Sequence, residues 1–205
     1  MRKKSHISLA KYIVNASDLQ TLNKHKKAFY VGSILPDCKP SFLIKRHEID
    51  ETFDIVEREM DYLTNGYHNY DEHSTRYFTR LGEVIHYIAD YFTFPHNKEY
   101  PGNMRQHCEY EGRLKHMLRE YIANLSQEDF LMWKDGNTIE DAEEFQSVSD
   151  ICEFIRSEHV RYIGQQDHSV EEDCRYIVNV CLRIVISILQ ICAKSMESYK
   201  EYTMA

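Results

Sequence analysis

Glycine and proline are scarce in this chain. Only 7 glycines and 4 prolines serve every turn, which argues against hairpins and for long helices. No run of low complexity interrupts the sequence. With 205 residues and 42% apolar content, the chain has enough material for a substantial core and reads as one all-α domain over residues 1–205. No CxxC pair occurs, which excludes a zinc ribbon and a thioredoxin-type site. The six cysteines, Cys38, Cys108, Cys152, Cys174, Cys181 and Cys192, read as reduced packing residues, the last three recurring at helical spacing in an apolar segment.

An excess of basic charge is also missing. A formal charge of -8 gives no electrostatic footprint for a nucleic-acid duplex or an anionic membrane. It does not exclude a phosphate substrate, because bound metal cations would make an acidic pocket locally positive. The basic start Met1-Arg2-Lys3-Lys4 leads into an amphipathic stretch containing Lys11, Asn15 and Asp18 rather than an apolar leader, so a cytoplasmic address is expected. Ile177 to Ala193 is apolar on nearly all sides. Asn179, Arg183 and Gln190 interrupt it, and it reads as a buried central helix with no transmembrane role.

Helical periodicity accounts for most of the remainder. Two short helices are expected over 6–30 with a break at Ser17, where Ser17-x-x-Gln20 has the form of a capping box. Gly32-Ser33-Ile34-Leu35-Pro36-Asp37 then places Asp37 on a loop or helix edge, because a proline disfavours helix at the residue before it. Amphipathic helices follow over 47–64, 74–94 and 103–124, with Pro95 ending the second just before His96. Ser126-x-x-Asp129, Thr138-x-x-Asp141 and Ser169-x-x-Glu172 mark later helix starts. The acidic groups Glu140–Glu144 and Glu171–Asp173 need no role beyond complementing a helix dipole.

The chemistry concentrates between His86 and Glu111. His86-x-x-x-Asp90, His96 and His107-x-x-x-Glu111 are all oxygen or imidazole ligands that zinc accepts. Residues four apart on a helix share a face, so each pair can grip one ion from one side. Two such pairs point to more than one metal. His6, Asp37 and His47 lie upstream as further candidates. His25, His68, His73, His116, His159 and His168 have no matching partners and read as surface or capping residues. The segment from Gly66 to His73 reads as a loop at the mouth of the site.

The order and spacing resemble the zinc-dependent phospholipase C family, whose helical fold is shared with single-strand-specific zinc nucleases. The resemblance runs over residues 5–115. Ser5-His6-Ile7 is similar to the family's N-terminal histidine segment, Gly32 to Asp37 to its aspartate loop, Leu81-Gly82-x-x-x-His86-Tyr87-x-x-Asp90 through Pro95-His96 to its central signature, and His107-x-x-x-Glu111 to its close. It implies two or three zinc ions. One would be held by Asp37, His47, His86 and Asp90, a second by His96, His107 and Glu111, and a third by His6 with Asp90 bridging, with residues 112–205 as helical scaffold.

The implied activity is hydrolysis of a phosphodiester bond by a metal-activated water, with Asp37 as the candidate general base. The substrate would be a phospholipid or a smaller soluble phosphodiester, with no stable nucleic-acid partner and at most peripheral membrane contact. Two features depart from the family. Its secreted members supply the amine and carbonyl of an N-terminal tryptophan to the third zinc, whereas this chain begins with Met1 and its sole tryptophan is Trp133. Its choline-binding aromatics are replaced by Cys38 and Ile44, which removes cation-π contacts from those positions. The alternatives are a single-strand nuclease or nucleotidase, which requires a basic or aromatic groove beside the metals, and a non-catalytic metal-binding regulatory protein.

Overall fold

A computed structural model of the chain describes residues 1–39, 46–65, 74–125, 144–166 and 168–204, and it is all-α, with no strand among them. Eight α-helices are described: α1 Lys3–Ala16, α2 Gln20–Lys24, α3 Lys26–Gly32, α4 Ile49–Thr64, α5 Thr75–Tyr91, α6 Met104–Asn124, α7 Val148–Ile163 and α8 Val170–Met204. Two single turns of 3-10 helix, Pro36–Cys38 and Phe94–His96, carry Asp37 and His96. The expected caps at Ser126 and Thr138 and the segment from Gly66 to His73 lie outside the described residues, as do Trp133 and Ile44.

Helices α5 and α8 form the centre. Helix α5 packs against α3, α4 and α8, while α6 lies on α1 and α8 and α7 on α4 and α8. Around α5 the buried positions run almost continuously from Tyr77 to Tyr91, because neighbours cover it on every side. In α8 the Val170–Ser195 stretch is long and apolar enough to cross a bilayer by length and composition, and 61% of its window is buried inside the protein. Burial against α4, α5 and α6 accounts for that apolarity without a membrane.

Helices α3 and α5 touch backbone to backbone. A Cβ on Gly32 would lie 2.0 Å from the Thr79 carbonyl oxygen, and one on Gly82 2.4 Å from that of Phe29. The two glycines therefore set the approach of the helix that leads to Asp37 and the helix that carries His86 and Asp90.

Several boundaries follow the sequence and others correct it. Ser17 closes α1 as its C-cap and does not open α2: Leu19 is the N-cap of α2, Ser17 Oγ donates to the Val14 carbonyl at 3.5 Å, and Asp18 makes the turn with φ of 50°. Helix α5 ends at Tyr91, earlier than Pro95 itself. Pro95 has no N–H to offer the Tyr91 carbonyl, and the Asn97 side-chain amide donates to that carbonyl instead, at 3.1 Å. Ser169 does cap α8, accepting the Glu172 N–H at 3.2 Å. Helix α7 begins with a capping box between Ser147 and Asp150 that the sequence reading passed over.

The scattered histidines are not all surface residues. His25 stacks on Phe78 with ring centroids 4.7 Å apart, His168 stacks on Phe94 at 4.0 Å, and His159 Nε2 lies 2.8 Å from Asn97 Oδ1. In each case the flat imidazole packs against a phenylalanine ring, Phe92 for His159. All six cysteines are free, but Cys38 and Cys108 are exposed, so the packing role holds for Cys152, Cys174, Cys181 and Cys192.

Candidate metal centre

Six segments deliver the donors to one place. His6 comes from α1, Asp37 from the first 3-10 turn, His47 from just before α4, His86 and Asp90 from successive turns of α5, His96 from the second 3-10 turn, and His107 and Glu111 from α6. Helix α6 opens with a capping box in which Asn103 accepts the Gln106 N–H and Gln106 accepts the Asn103 N–H, which fixes the turn from which His107 projects.

Asp90 is the hub. Its Oδ2 lies 3.0 Å from His47 Nδ1 and 3.3 Å from His86 Nε2, and its Oδ1 lies 3.3 Å from His6 Nε2. Asp37 Oδ1 stands 3.6 Å from His86 Nε2 and 3.9 Å from His47 Nδ1. On the other side Glu111 Oε1 is 3.3 Å from both His96 Nε2 and His107 Nε2. All eight residues read from the sequence as ligands are thus brought together. They fall into three groups, His6 with Asp37 and His86, His47 with His86 and Asp90, and His96 with His107 and Glu111, each with donor atoms within 4.8 Å of one another.

A ninth group joins them that the sequence reading had missed. The Met1 amine is buried 2.5 Å from Asp90 Oδ1 and 3.0 Å from His96 Nε2, and 3.3 Å from Glu111 Oε1. An amine therefore reaches the cluster, on methionine rather than tryptophan. Nothing in the side chain of Met1 could have signalled this, since the contact is made by main-chain nitrogen.

The donor set fits a metal. His86 Nδ1 lies 2.9 Å from the Ser33 carbonyl oxygen, which can only accept, so Nδ1 carries the proton and the Nε2 lone pair faces His47, Asp37 and Asp90. His6 stacks on His86 with centroids 3.9 Å apart. Neither of its buried ring nitrogens has a hydrogen-bond partner, and the approach of Nε2 to Asp90 lacks hydrogen-bond geometry. A buried imidazole without a partner costs free energy unless something coordinates it.

Protonation is biased toward the ligating forms. Burial, reinforced by His86, pushes His6 down to about 3, so its ring is neutral. Burial likewise lowers His96, with the Met1 ammonium adding to it. Burial would raise Asp90, but the Met1 ammonium and the surrounding histidines overcome it and hold the carboxyl well below the usual range. Glu111 is also lowered, burial being outweighed by hydrogen bonds from His107 and His96. Asp37 differs: burial raises it above the ordinary carboxylate value, which makes it a better proton acceptor than Asp90.

A cavity of about 1010 Å³ opens onto this cluster, with Asp37, His47, His96, His107 and Glu111 on its floor. His6, His86 and Asp90 are buried behind them. Among the described residues, the cavity is thus the side from which a ligand reaches the cluster.

Comparison with known proteins gives one match. The family described as Zinc dependent phospholipase C matches residues 5–169, extending through helices α6 and α7 beyond the stretch in which the motifs lie. No curated protein matches the chain, and no solved structure does.

Proposed function

The chain belongs to the zinc-dependent phospholipase C family, and on that footing we propose that it is a zinc-dependent hydrolase of phosphodiester bonds. The observation that carries this reading is the convergence of three donor groups from six segments at and just behind the floor of one cavity. Asp37, His47, His86 and Asp90 would hold one ion, His96, His107 and Glu111 a second, and His6 with Asp90 a third. Zinc in such sites acidifies water and neutralises charge on phosphodiester oxygens.

The residues themselves have distinct tasks. Ser33 fixes the tautomer of His86, and His86 in turn stacks against His6, so two imidazoles are oriented by one carbonyl. Asp37 is at the floor of the cavity with a raised carboxyl, and it takes the proton of the attacking water. The water oxygen adds to phosphorus, the P–O bond to the alcohol breaks, and the departing alkoxide takes up that proton. The closed rear wall of His6, His86 and Asp90 keeps bulk water from the far side.

Metal content and turnover together test the reading. Protein purified without chelator should carry two or three zinc ions per chain and hydrolyse bis-p-nitrophenyl phosphate, and chelation should stop it. Asp37→Asn that keeps its full rate with full metal content would remove Asp37 as the base. A fully zinc-loaded protein inert toward every phosphodiester offered would end the hydrolase reading.

A further inference from the structure

The cavity over the metal ligands is lined by six cationic side chains, Arg2, Lys3, Lys4, Arg46, Lys98 and Lys115, in a chain where 33 acidic residues outnumber 25 basic ones. Two of the six are answered locally. Arg46 lies 3.3 Å from Glu48, and Lys98 lies 2.5 Å from Asp50. Among the described residues Lys3, Lys4 and Lys115 have no acidic partner. The acidic residues that line the cavity are Glu48, already paired, and Asp37 and Glu111, both ligands on its floor.

Position gives these charges a direction. His107, Glu111 and Lys115 fall at successive turns of α6, so one stripe carries two metal ligands and then an ammonium. Lys115 is half-buried, and its ammonium costs more to leave unneutralised than that of an exposed lysine. Lys3 and Lys4 stand on the first turn of α1, across the mouth. Arg2 is fixed beside them: its Nη2 donates to the Cys108 carbonyl at 2.7 Å and would lie 3.3 Å from a Cβ on Gly112. A side chain at position 112 would crowd the guanidinium out of that place.

A quaternary ammonium headgroup is recognised by aromatic faces and carboxylates, and these lysines would repel it. Among the described residues Tyr100 is the aromatic side chain that lines the cavity, too little to stack a run of nucleobases. We infer that the site takes a phosphodiester whose headgroup carries a second phosphate, the diester lying over the metal ligands and the extra phosphate between Lys115 and the Lys3–Lys4 turn. Turnover of such a substrate rests on the hydrolase reading; its recognition does not.

Hydrolysis would convert the diester to a phosphomonoester, with water adding to phosphorus and the glycerol oxygen leaving with the water's proton. The headgroup then departs with two phosphomonoesters. The same chemistry can come from a membrane lipid or from its soluble deacylated form.

Calorimetric titration of zinc-loaded protein with glycerophosphoinositol 4-phosphate and with glycerophosphocholine tests recognition directly. The phosphorylated ligand should bind about tenfold more tightly at low ionic strength, and the preference should fall as salt is added. Lys3→Glu combined with Lys115→Glu should abolish that preference, and Lys3→Arg with Lys115→Arg should retain it. Equal affinities, or a preference untouched by charge reversal, would overturn the inference.

Turnover separates the remaining cases. Faster cleavage of phosphatidylinositol 4-phosphate in phosphatidylcholine vesicles than of the soluble diester assigns a lipid source, and the reverse assigns a soluble one. Selective binding with no turnover of either leaves the recognition standing and removes the hydrolase reading. Preferential cleavage of glycerophosphocholine, or of a single-stranded oligonucleotide, would overturn the inference while leaving the hydrolase intact.

Discussion

Asp173 accepts the main-chain N–H of Phe94 at 3.0 Å, so the first turn of α8 holds the turn that carries His96. The same carboxylate accepts the hydroxyls of Tyr162 at 2.6 Å and Tyr110 at 2.9 Å, and it is fully buried. Asp173 had read as an ordinary helix-start acid; its partners lie on α6, α7 and the 3-10 turn, and no local pattern could announce them.

Removing this carboxylate should be costly. Asp173→Ala leaves the Phe94 N–H and the Tyr162 hydroxyl short of an acceptor in the core and Tyr110 with only the longer contact to the His168 carbonyl at 3.3 Å, at a cost of about 3 kcal/mol. Urea unfolding reads the loss. Zinc content should also fall, because the turn bearing His96 loses its anchor, and a variant destabilised with its metal content intact would limit Asp173 to a structural role.

Asp173 should also leave a pH signature. Burial raises its carboxyl from 3.8 to about 7, despite hydrogen bonds from Tyr162, Phe94 and Tyr110 that favour the charged form. Between about pH 4 and pH 7 the folded chain therefore binds more protons at this site than the unfolded chain. Its contribution is fully present below the lower value and is lost as pH rises through the upper one. Asp173→Asn cannot titrate, so its stability relative to wild type should improve across that window, by on the order of 3 kcal/mol. Denaturant midpoints at the two ends of the window give the comparison, and parallel curves would contradict the assignment.

Much of the site was legible because its ligands obey helical spacing. His86 with Asp90 and His107 with Glu111 needed no tertiary information beyond a four-residue interval. The glycine of Leu81-Gly82 was visible as part of a motif, but its reason was not, since that reason is the backbone of α3 lying against it. The Met1 amine, the Ser33 carbonyl and Asp173 were invisible for a shared cause: each acts through a long-range contact, and two of the three act through main-chain atoms. The end of α5 at Tyr91 needed Asn97, whose amide replaces the donor that Pro95 lacks.

The α3 and α5 contact yields a sharper test. Gly82→Ala would place a methyl 2.4 Å from the Phe29 carbonyl oxygen, which backbone must move to relieve. A cost of about 3 kcal/mol is expected for such overpacking. The same displacement separates Ser33 from His86 Nδ1, so metal affinity should drop with stability. Wild-type melting and metal binding in Gly82→Ala would show that the two helices yield more easily than this packing implies.

A milder effect is expected at the start of α6. Asn103→Ala removes the side-chain acceptor for the Gln106 N–H and should cost about 1 kcal/mol. His107 follows one residue after Gln106, so fraying of this turn should weaken retention of the ion held by His96, His107 and Glu111 while sparing the group around His86. Stepwise chelation followed by metal analysis distinguishes the first ion lost from the others.

Metal removal should destabilise the whole fold, and unequally among ligand variants. Without an ion the burial of His6, Asp90 and His96 is compensated by their mutual contacts, by His47, His86 and Glu111, and by the Met1 amine. At free zinc a thousandfold above its dissociation constant, binding adds about 4 kcal/mol to stability, so chelation should lower the melting temperature by about 10 °C for a chain of this size. Asp90 lies against His6, His47 and His86 and would serve two of the proposed ions, whereas His107 would serve one. Asp90→Ala should therefore lose more zinc and respond less to chelator than His107→Ala. Equal losses in the two variants would mean that Asp90 does not join separate ions, and the count of zinc per chain would fall accordingly.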